Sequence, residues 1–388
     1  TAEYVTMDSG TGCVHTAPSY GADDYFTGMR YGLPIEVAVD DRGYQNELAG
    51  KFAGLRYDES NEAILEDMKK SGALFSSEEI VHQYPHCWRC KNPVLFRATE
   101  QWFCSVKGFK EDSIKAIESV EWIPAWGEDR IKGMVNDRSD WCISRQRTWG
   151  VPIPVVYCKD CGKPVVNEKT ITAISEMFRK EGANSWYIRD AKEFIPSDVK
   201  CECGCGEFIK EKDIFDVWFD SGVTHAAVME ERGYDVPVDL YLEGADQYRG
   251  WFQSSLLTSV ATKNRAPYKA VCTHGWVVDG EGKTMHKSLG NGVAPNEVYD
   301  VYGADILRLW VASSDYHADI RISKEILKQL SDTYKKIRNT ARFILGNLGD
   351  ATGFDVEKDI VDVKDLHEID KWALIRLNSL IEKCKSAY

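Results

Sequence analysis

Seven of the chain's twelve cysteines fall into three tight clusters: Cys87–x2–Cys90, Cys158–x2–Cys161 and Cys201–x–Cys203–x–Cys205. The other five, Cys13, Cys104, Cys142, Cys272 and Cys384, stand alone. Short-spaced thiols in a large chain point to zinc rather than to disulfides. A structural zinc ion takes four thiolate or imidazole ligands in a tetrahedron, and a Cys-x-x-Cys turn supplies two at small entropic cost. Cys158 and Cys161, in YCKDCGK, have the form of a zinc knuckle. Cys201, Cys203 and Cys205 offer three thiols for the second pair. Cys201 and Cys203 are favoured, because Gly204 supplies the turn, with Cys205 as the alternative. Cys87 and Cys90 form a further half-site whose partners lie upstream of Thr1 or are lacking, with His82 and His86 as possible substitutes. A second chemical signal is GKTMHKSLGN, Gly282 to Asn291. A glycine-rich loop carrying lysine can hold polyphosphate, because backbone N–H groups and an ammonium neutralise the charge. By itself the segment reads as a solvated basic turn.

These residues need elements to position them. Residues 1–85 mix strand-like runs (Tyr4–Met7, Cys13–Thr16, Ile35–Val39) with a helix around Asn61–Ser71 that stops at Gly72. HCWRCKNP, residues 86–93, predicts a tight turn. Residues 96–154 are rich in Trp and Arg with two short helices, and a helix over 170–180 separates the later cysteine clusters. From there the pattern is α/β: a strand over 239–243, a helix over 249–263 and a strand over 269–278, as a parallel sheet with crossover helices requires. Leu327, Leu330, Tyr334, Ile337, Ala341, Ile344 and Leu348 step by three and four along a long helix over 324–348. A second such helix begins near 370. At 388 residues the chain should divide into two to four domains, and 43% hydrophobic residues suffice for buried cores. The net charge of −13 argues against a simple basic nucleic-acid-binding module. No apolar run is long enough to span a membrane, and these residues hold no basic-plus-apolar leader. The start at Thr1 rather than Met predicts a piece of a longer protein, and the short-spaced thiols predict a reducing, cytoplasmic compartment.

Five blocks, in order, carry a resemblance. GKTMHKSLGN is similar to the Lys-Met-Ser-Lys-Ser signature loop of class I aminoacyl-tRNA synthetases. YLEGADQYRGWFQSSL resembles the block that the isoleucyl enzymes place before that loop, and GTGCVHTAPSYGADDY the last conserved part of their editing domain. SDWCISRQRTWGVPIP and FDVWFDSG complete the set. The likeness covers essentially the whole chain. It implies an α/β fold, the second half of a class I synthetase Rossmann-like nucleotide fold. To this it adds part of a β-rich editing domain, zinc-binding insertions and the start of an α-helical anticodon-binding domain. The implied boundaries are 1–85 for editing and 86–154 for the return to the catalytic domain. Next come the zinc-knuckle insertion at 155–213, the second nucleotide-fold half at 214–295, stem contact at 296–330 and anticodon-binding helices at 331–388.

The resemblance also implies roles. Lys287 and Ser288 would act on the phosphates of ATP, which binds with Mg2+. Glu243, Asp246 and Gln247 would line the adenylate site, with Glu243 holding the amino group. Trp218 and Trp251 would wall the isoleucine side chain, and His274 and Gly275 would pack on adenosine. In the editing block, Asp24 would anchor the ammonium of a mischarged valine and His15 would exclude isoleucine. The implied reaction is activation of L-isoleucine with ATP, transfer to tRNA(Ile) and hydrolysis of mischarged valine by a monomeric parent. Editing is needed because one methylene is worth only about 1–3 kcal/mol, a limit for which isoleucyl synthetases are themselves the standard illustration.

Plainer readings compete: core aromatics for Trp218 and Trp251, a buried hydrogen-bonded histidine for His15, and a solvated face for Lys328, Lys335, Lys336, Arg338 and Arg342, which otherwise would meet tRNA phosphates. At the level of the whole chain the alternatives are a valyl relative and a zinc-stabilised RNA-binding module. The signature loop departs from its pattern at Thr284 and His286. The His-x-Gly-His motif and the threonine-rich editing segment are absent from these residues and expected upstream, so this piece alone should be inactive.

Overall fold

The computed structural model describes every residue except Thr1, Ser9, Trp88, Lys287, Ser288, Asp350 and Ala351. The chain forms two compact units: one of Thr1–Cys104 with Cys142–Gln146, the other of Ser105–Trp141 with Arg147–Tyr388.

In the first unit, helix α1 (Ala22–Tyr31) follows the GTGCVHTAPSYG segment, and α2 (Glu59–Ser71) ends at Gly72 as expected. The three strand-like runs do not form strands. Tyr4–Met7 and Cys13–Thr16 run irregularly, and Val39 makes a single bridge to Gln45. Met7 is 84% exposed and Val14 55%, so among the described residues nothing covers their apolar side chains. An alternating pattern forms a stable strand only against a partner and a face to bury. The 86–93 segment does turn back: His86 bridges Pro93, and the Cys87 N–H donates to the Asn92 carbonyl at 2.8 Å.

The second unit opens with α3 (Lys110–Glu118), β1 (Glu121–Ile123) and α4 (Trp126–Asn136). An insertion follows, with β2 (Val156–Cys158), β3 (Pro164–Val165), α5 (Glu168–Glu181) and β4 (Phe208–Lys210). Asn167 caps α5 by accepting from the Thr170 N–H at 3.1 Å. The insertion packs its own core from Val156, Ile174, Trp186 and Phe194. Its two ends meet: the Glu211 N–H donates to Val155 O at 2.9 Å and the Ile153 N–H to Asp213 O at 3.1 Å.

The chain then forms α6 (Val217–Gly222), β5 (Val238–Gly244), α7 (Trp251–Lys263) and β6 (Tyr268–His274). The sheet order is β1–β6–β5 and every pair is parallel, with Ala270 opposite both Glu121 and Leu240. Helix α7 is the crossover between β5 and β6. Trp122, Tyr241, Tyr248, Phe252, Leu256, Tyr268 and Val271 form the core between sheet and helices.

The strand expected over 269–278 is broken. It stops at His274 and resumes as β7 (Val277–Val278). The cause is Gly275, whose N–H donates to Tyr316 O at 2.8 Å. A Cβ at Gly275 would overlap the Ala318 carbonyl, so only glycine lets the two backbones approach. We expect Gly275→Ala to destabilise the unit by about 3 kcal/mol, near the upper end for overpacking; an unchanged urea midpoint would show that this contact is not tight.

Past this break come α8 (Pro295–Tyr302), α9 (Ala304–Ala312) and β8 (Ile320–Arg321), the last paired in parallel with β7. Helix α10 (Lys324–Leu348) matches the expected long helix, capped by the Ser323 hydroxyl, which accepts from the Ile326 N–H. Only the first half of its apolar stripe is covered. Leu327 is buried with Leu330 and Tyr334 against α8 and α9, whereas Ile337, Ile344 and Leu348 are each about half exposed. The last helix, α11 (Glu368–Ala387), has no buried residue. Among the described residues, no helix is long and apolar enough to cross a membrane.

Candidate functional site

The C-terminal ends of β5 and β6, where ligands bind open parallel sheets, bring seven of the sequence-predicted residues into one neighbourhood. Glu243 sits opposite Thr273, and Gly244 opposite His274. The Glu243 side chain is exposed and makes no hydrogen bond or ion pair with a described residue. His274 donates from Nδ1 to the Gly275 carbonyl at 2.8 Å, and its Cε1 lies 3.6 Å from the position a Gly244 Cβ would take. Asp246 accepts from Gln247 Nε2 at 3.1 Å. Gln247 also caps α7, its Oε1 accepting from the Trp251 N–H at 2.8 Å.

Gly250 is the pivot. A Cβ there would stand 2.6 Å from Gln247 Oε1 and 2.8 Å from the Trp218 ring, so the bare backbone lets both close over it. Trp218 is 42% exposed, which excludes a core role for it. Trp251 is half-buried. Its indole stacks on Tyr241 at 3.9 Å between centroids and 13° between planes, and Nε1 donates to Ser221 O at 2.9 Å. It therefore belongs in part to the core, as the plainer reading held.

Sequence reasoning missed three supports of this arrangement. Asp216, buried, caps α6 by accepting from the Trp218 N–H at 3.3 Å and also accepts from Trp141 Nε1 at 3.0 Å. Asp220 has its carboxyl pushed up to about 6, chiefly by burial and then by the Asp216 charge. Tyr241 is the platform for Trp251. The two acids flank Trp218 inside FDVWFDSG, a spacing that was the available signal.

Lys287 and Ser288 lie outside the described residues. The ends of their loop are tied by Asn291, whose Nδ2 donates to Asp279 Oδ2 at 2.9 Å and whose Oδ1 accepts from the His286 N–H at 2.9 Å. The Asn291 amide and nearby backbone N–H groups hold the Asp279 carboxyl below its ordinary range. The two departures from the signature bond to each other, Thr284 Oγ1 to His286 Nε2 at 3.0 Å.

The insertion gathers a second group. Cys158, Cys161, Cys201 and Cys203 have all four sulfurs within 4.8 Å, with Cys158–Cys203 and Cys161–Cys201 at 3.5 Å. Zinc with Zn–S bonds of about 2.3 Å has sulfurs about 3.8 Å apart, so the set is near the right size. The Cys161 and Asp160 N–H groups bring the Cys158 thiol down to about 6. Although the Cys205 amide favours its thiolate, Cys203 is pushed up to about 12 by the Cys158 thiol and burial. Four thiols this close cannot all ionise without a cation among them, and one would fit. Cys205 lies outside this group of four, its Sγ accepting from the Glu207 N–H at 3.3 Å. Cys87 and Cys90 gather no third ligand among the described residues. His86 Nδ1 is engaged by the Lys91 carbonyl at 2.6 Å and His82 Nδ1 by that of Gln83 at 3.1 Å.

In the first unit, Asp24 lies in the first turn of α1 and its Oδ2 accepts from the Ala17 N–H at 3.0 Å. His15 is exposed, which excludes the buried-histidine reading. Lys328, Lys335, Lys336, Arg338 and Arg342 on α10 are all exposed, and Lys335 pairs with Asp332 at 2.9 Å.

The family model "tRNA synthetases class I (I, L, M and V)" matches residues 27–323. The chain belongs to the class I tRNA synthetases. This synthetase chain is 58% identical over 387 residues to an isoleucine–tRNA ligase from Caldanaerobacter subterraneus subsp. tengcongensis, covering 100% of the chain and 41% of that protein. It is 59% identical over 388 residues to one from Caldicellulosiruptor saccharolyticus, covering 100% and 42%. A LeuRS–tRNA–LeuAMS complex from Agrobacterium radiobacter K84 is similar at 22% identity and TM-score 0.40, over 54% of this chain and 29% of that one. The synthetase chain thus spans about two-fifths of the length of the curated relatives it matches.

Proposed function

We propose that the chain is part of an isoleucine–tRNA ligase and carries the half of its synthetic site that reads the amino acid. The supporting observation is the closure of Trp218 and Gln247 over Gly250, immediately before Trp251, in the segment that follows Glu243, whose carboxylate no described residue pairs. A carboxylate at a sheet edge takes an ammonium, and two indoles beside it take a branched aliphatic side chain. One contact reads charge and the other reads shape. Asp246 and Gln247 line the adenylate. His274 and Gly275 border the adenosine of ATP, whose phosphates and Mg2+ would meet Lys287 and Ser288. Catalysis at the α-phosphate then rests on positioning and charge neutralisation. His15 and Asp24 serve the hydrolysis of mischarged valine. Cys158, Cys161, Cys201 and Cys203 hold a structural zinc, and the partner is tRNA(Ile) in the cytoplasm, with the ligase monomeric.

Isoleucine-dependent ATP–pyrophosphate exchange tests this reading. The complete ligase should exchange with isoleucine far better than with valine. This chain by itself, without a His-x-Gly-His motif, should not exchange above a Lys287→Ala control. Valine preferred by the complete protein, or exchange by the isolated chain, would overturn the proposal.

A further inference from the structure

His225 is 1% exposed and sits just past α6, at the start of the π-helical segment His225–Glu230. Its Nε2 lies 3.2 Å from Thr258 Oγ1 on α7, while Nδ1 is buried without a hydrogen-bond partner. A proton on Nδ1 would be a stranded donor, so the proton belongs on Nε2 and Thr258 accepts it. The single Thr258 hydroxyl hydrogen is then free for the Gly222 carbonyl, its nearest acceptor at 2.8 Å. Burial holds the imidazole neutral, against Glu230, which favours its charged form, and with Lys263 and Arg265, which oppose it.

This relay spans a close interface. A Cβ at Gly222 would stand 3.0 Å from the Ser254 carbonyl, so α6 and α7 meet backbone to backbone. One residue earlier on α6, Ser221 O accepts the Trp251 indole N–H, and Trp218 lies on the same short helix. A six-residue helix has too few bonds of its own to hold such a position.

We infer that His225 is a positioning residue for the amino-acid pocket: through Thr258 it locks α6 on α7 and so fixes the spacing of Trp218 and Trp251. The inference rests on the ligase reading above. His225 touches no substrate, so its loss acts on pocket shape and not on ATP.

The test uses the complete ligase with His225→Leu, His225→Gln and Thr258→Val. His225→Leu should raise the KM for isoleucine about tenfold and narrow the preference over valine, with the KM for ATP within about twofold, since pocket and phosphate contacts are separate sites. Gln can place an amide N–H on Thr258 and should recover most of the loss. Thr258→Val should mimic His225→Leu, and combining them should add little, as for two members of one network. Variants that lower the melting temperature while leaving the ratio of the two KM values unchanged would make His225 a packing residue and overturn the inference. A parent ligase that fails to exchange with isoleucine would instead overturn the ligase reading, visible before any variant is made.

Discussion

Stripping metal from the chain is expected to unfold residues 155–213 while the β1–β6–β5 sheet stays protected. Zinc binding contributes about 10–16 kcal/mol in small structural sites, as much as or more than the whole stability of most domains. The insertion has a core of its own around Trp186, Ile174 and Phe194. A segment this short nonetheless buries too little apolar surface to be more than marginal alone. Two of its four cysteines, Cys161 and Cys203, are exposed, so a strong chelator can approach the site. Protein purified after reduction and without chelator should hold about one zinc per chain. Amide exchange should then show β2 and β4 losing protection on chelation, and Cys161→Ser or Cys203→Ser should do the same without chelator. Elemental analysis finding no zinc, or protection that persists in metal-free protein, would count against the site. Two zincs would mean that Cys87 and Cys90 had found ligands.

Replacing Trp251 by alanine should weaken isoleucine activation by the complete ligase by roughly 30-fold or more. The loss of a large apolar wall is worth on the order of 2–4 kcal/mol where it faces substrate, and about 1.4 kcal/mol is a decade in binding. The structure adds a cost that substrate does not see, because the indole also stacks on Tyr241 and bonds Ser221 O. The variant should therefore also melt earlier. Trp251→Phe separates the two effects: it keeps an aromatic face for Tyr241 but drops the indole N–H. Its isoleucine KM should shift by a smaller factor than that of the alanine variant, and the KM for ATP should hardly move in either. An unchanged KM for isoleucine with a lowered melting temperature would leave Trp251 in the core and out of the pocket.

Much of this arrangement was legible locally. Helix α10 matches its stripe because Ser323, the apolar steps and the following glycine all lie within one stretch of sequence. The thiols were legible because knuckle spacing is itself the geometry. What failed depended on partners far along the chain. The break at Gly275–Trp276 exists because Tyr316, Ala318 and Asp319 arrive beside it, and no window around residue 275 contains them. The irregular course of residues 4–7 and 13–16 has the same origin, since strand propensity is decided by a neighbour. The stacking of Trp251 was not legible because its surroundings come from α6, β5 and α7 together. The His225–Thr258 relay pairs two polar residues 33 positions apart, and nothing in the local spacing announces it.

The pinched base of the insertion bears on how the sheet is assembled. Strand β1 must find β6 across a stretch holding the insertion, α6, β5 and α7, a non-local pairing of the kind that slows folding. With Val155 O bonded to Glu211 and Asp213 O to Ile153, the insertion spans no more distance than a short turn. Once it has folded, roughly two-fifths of the tether between β1 and β6 is removed from the search, which saves about 0.5 kcal/mol of closure entropy. The saving enters before any sheet contact forms, so it belongs to the folding barrier. The insertion thus acts as a clasp that shortens the chain for the sheet it interrupts.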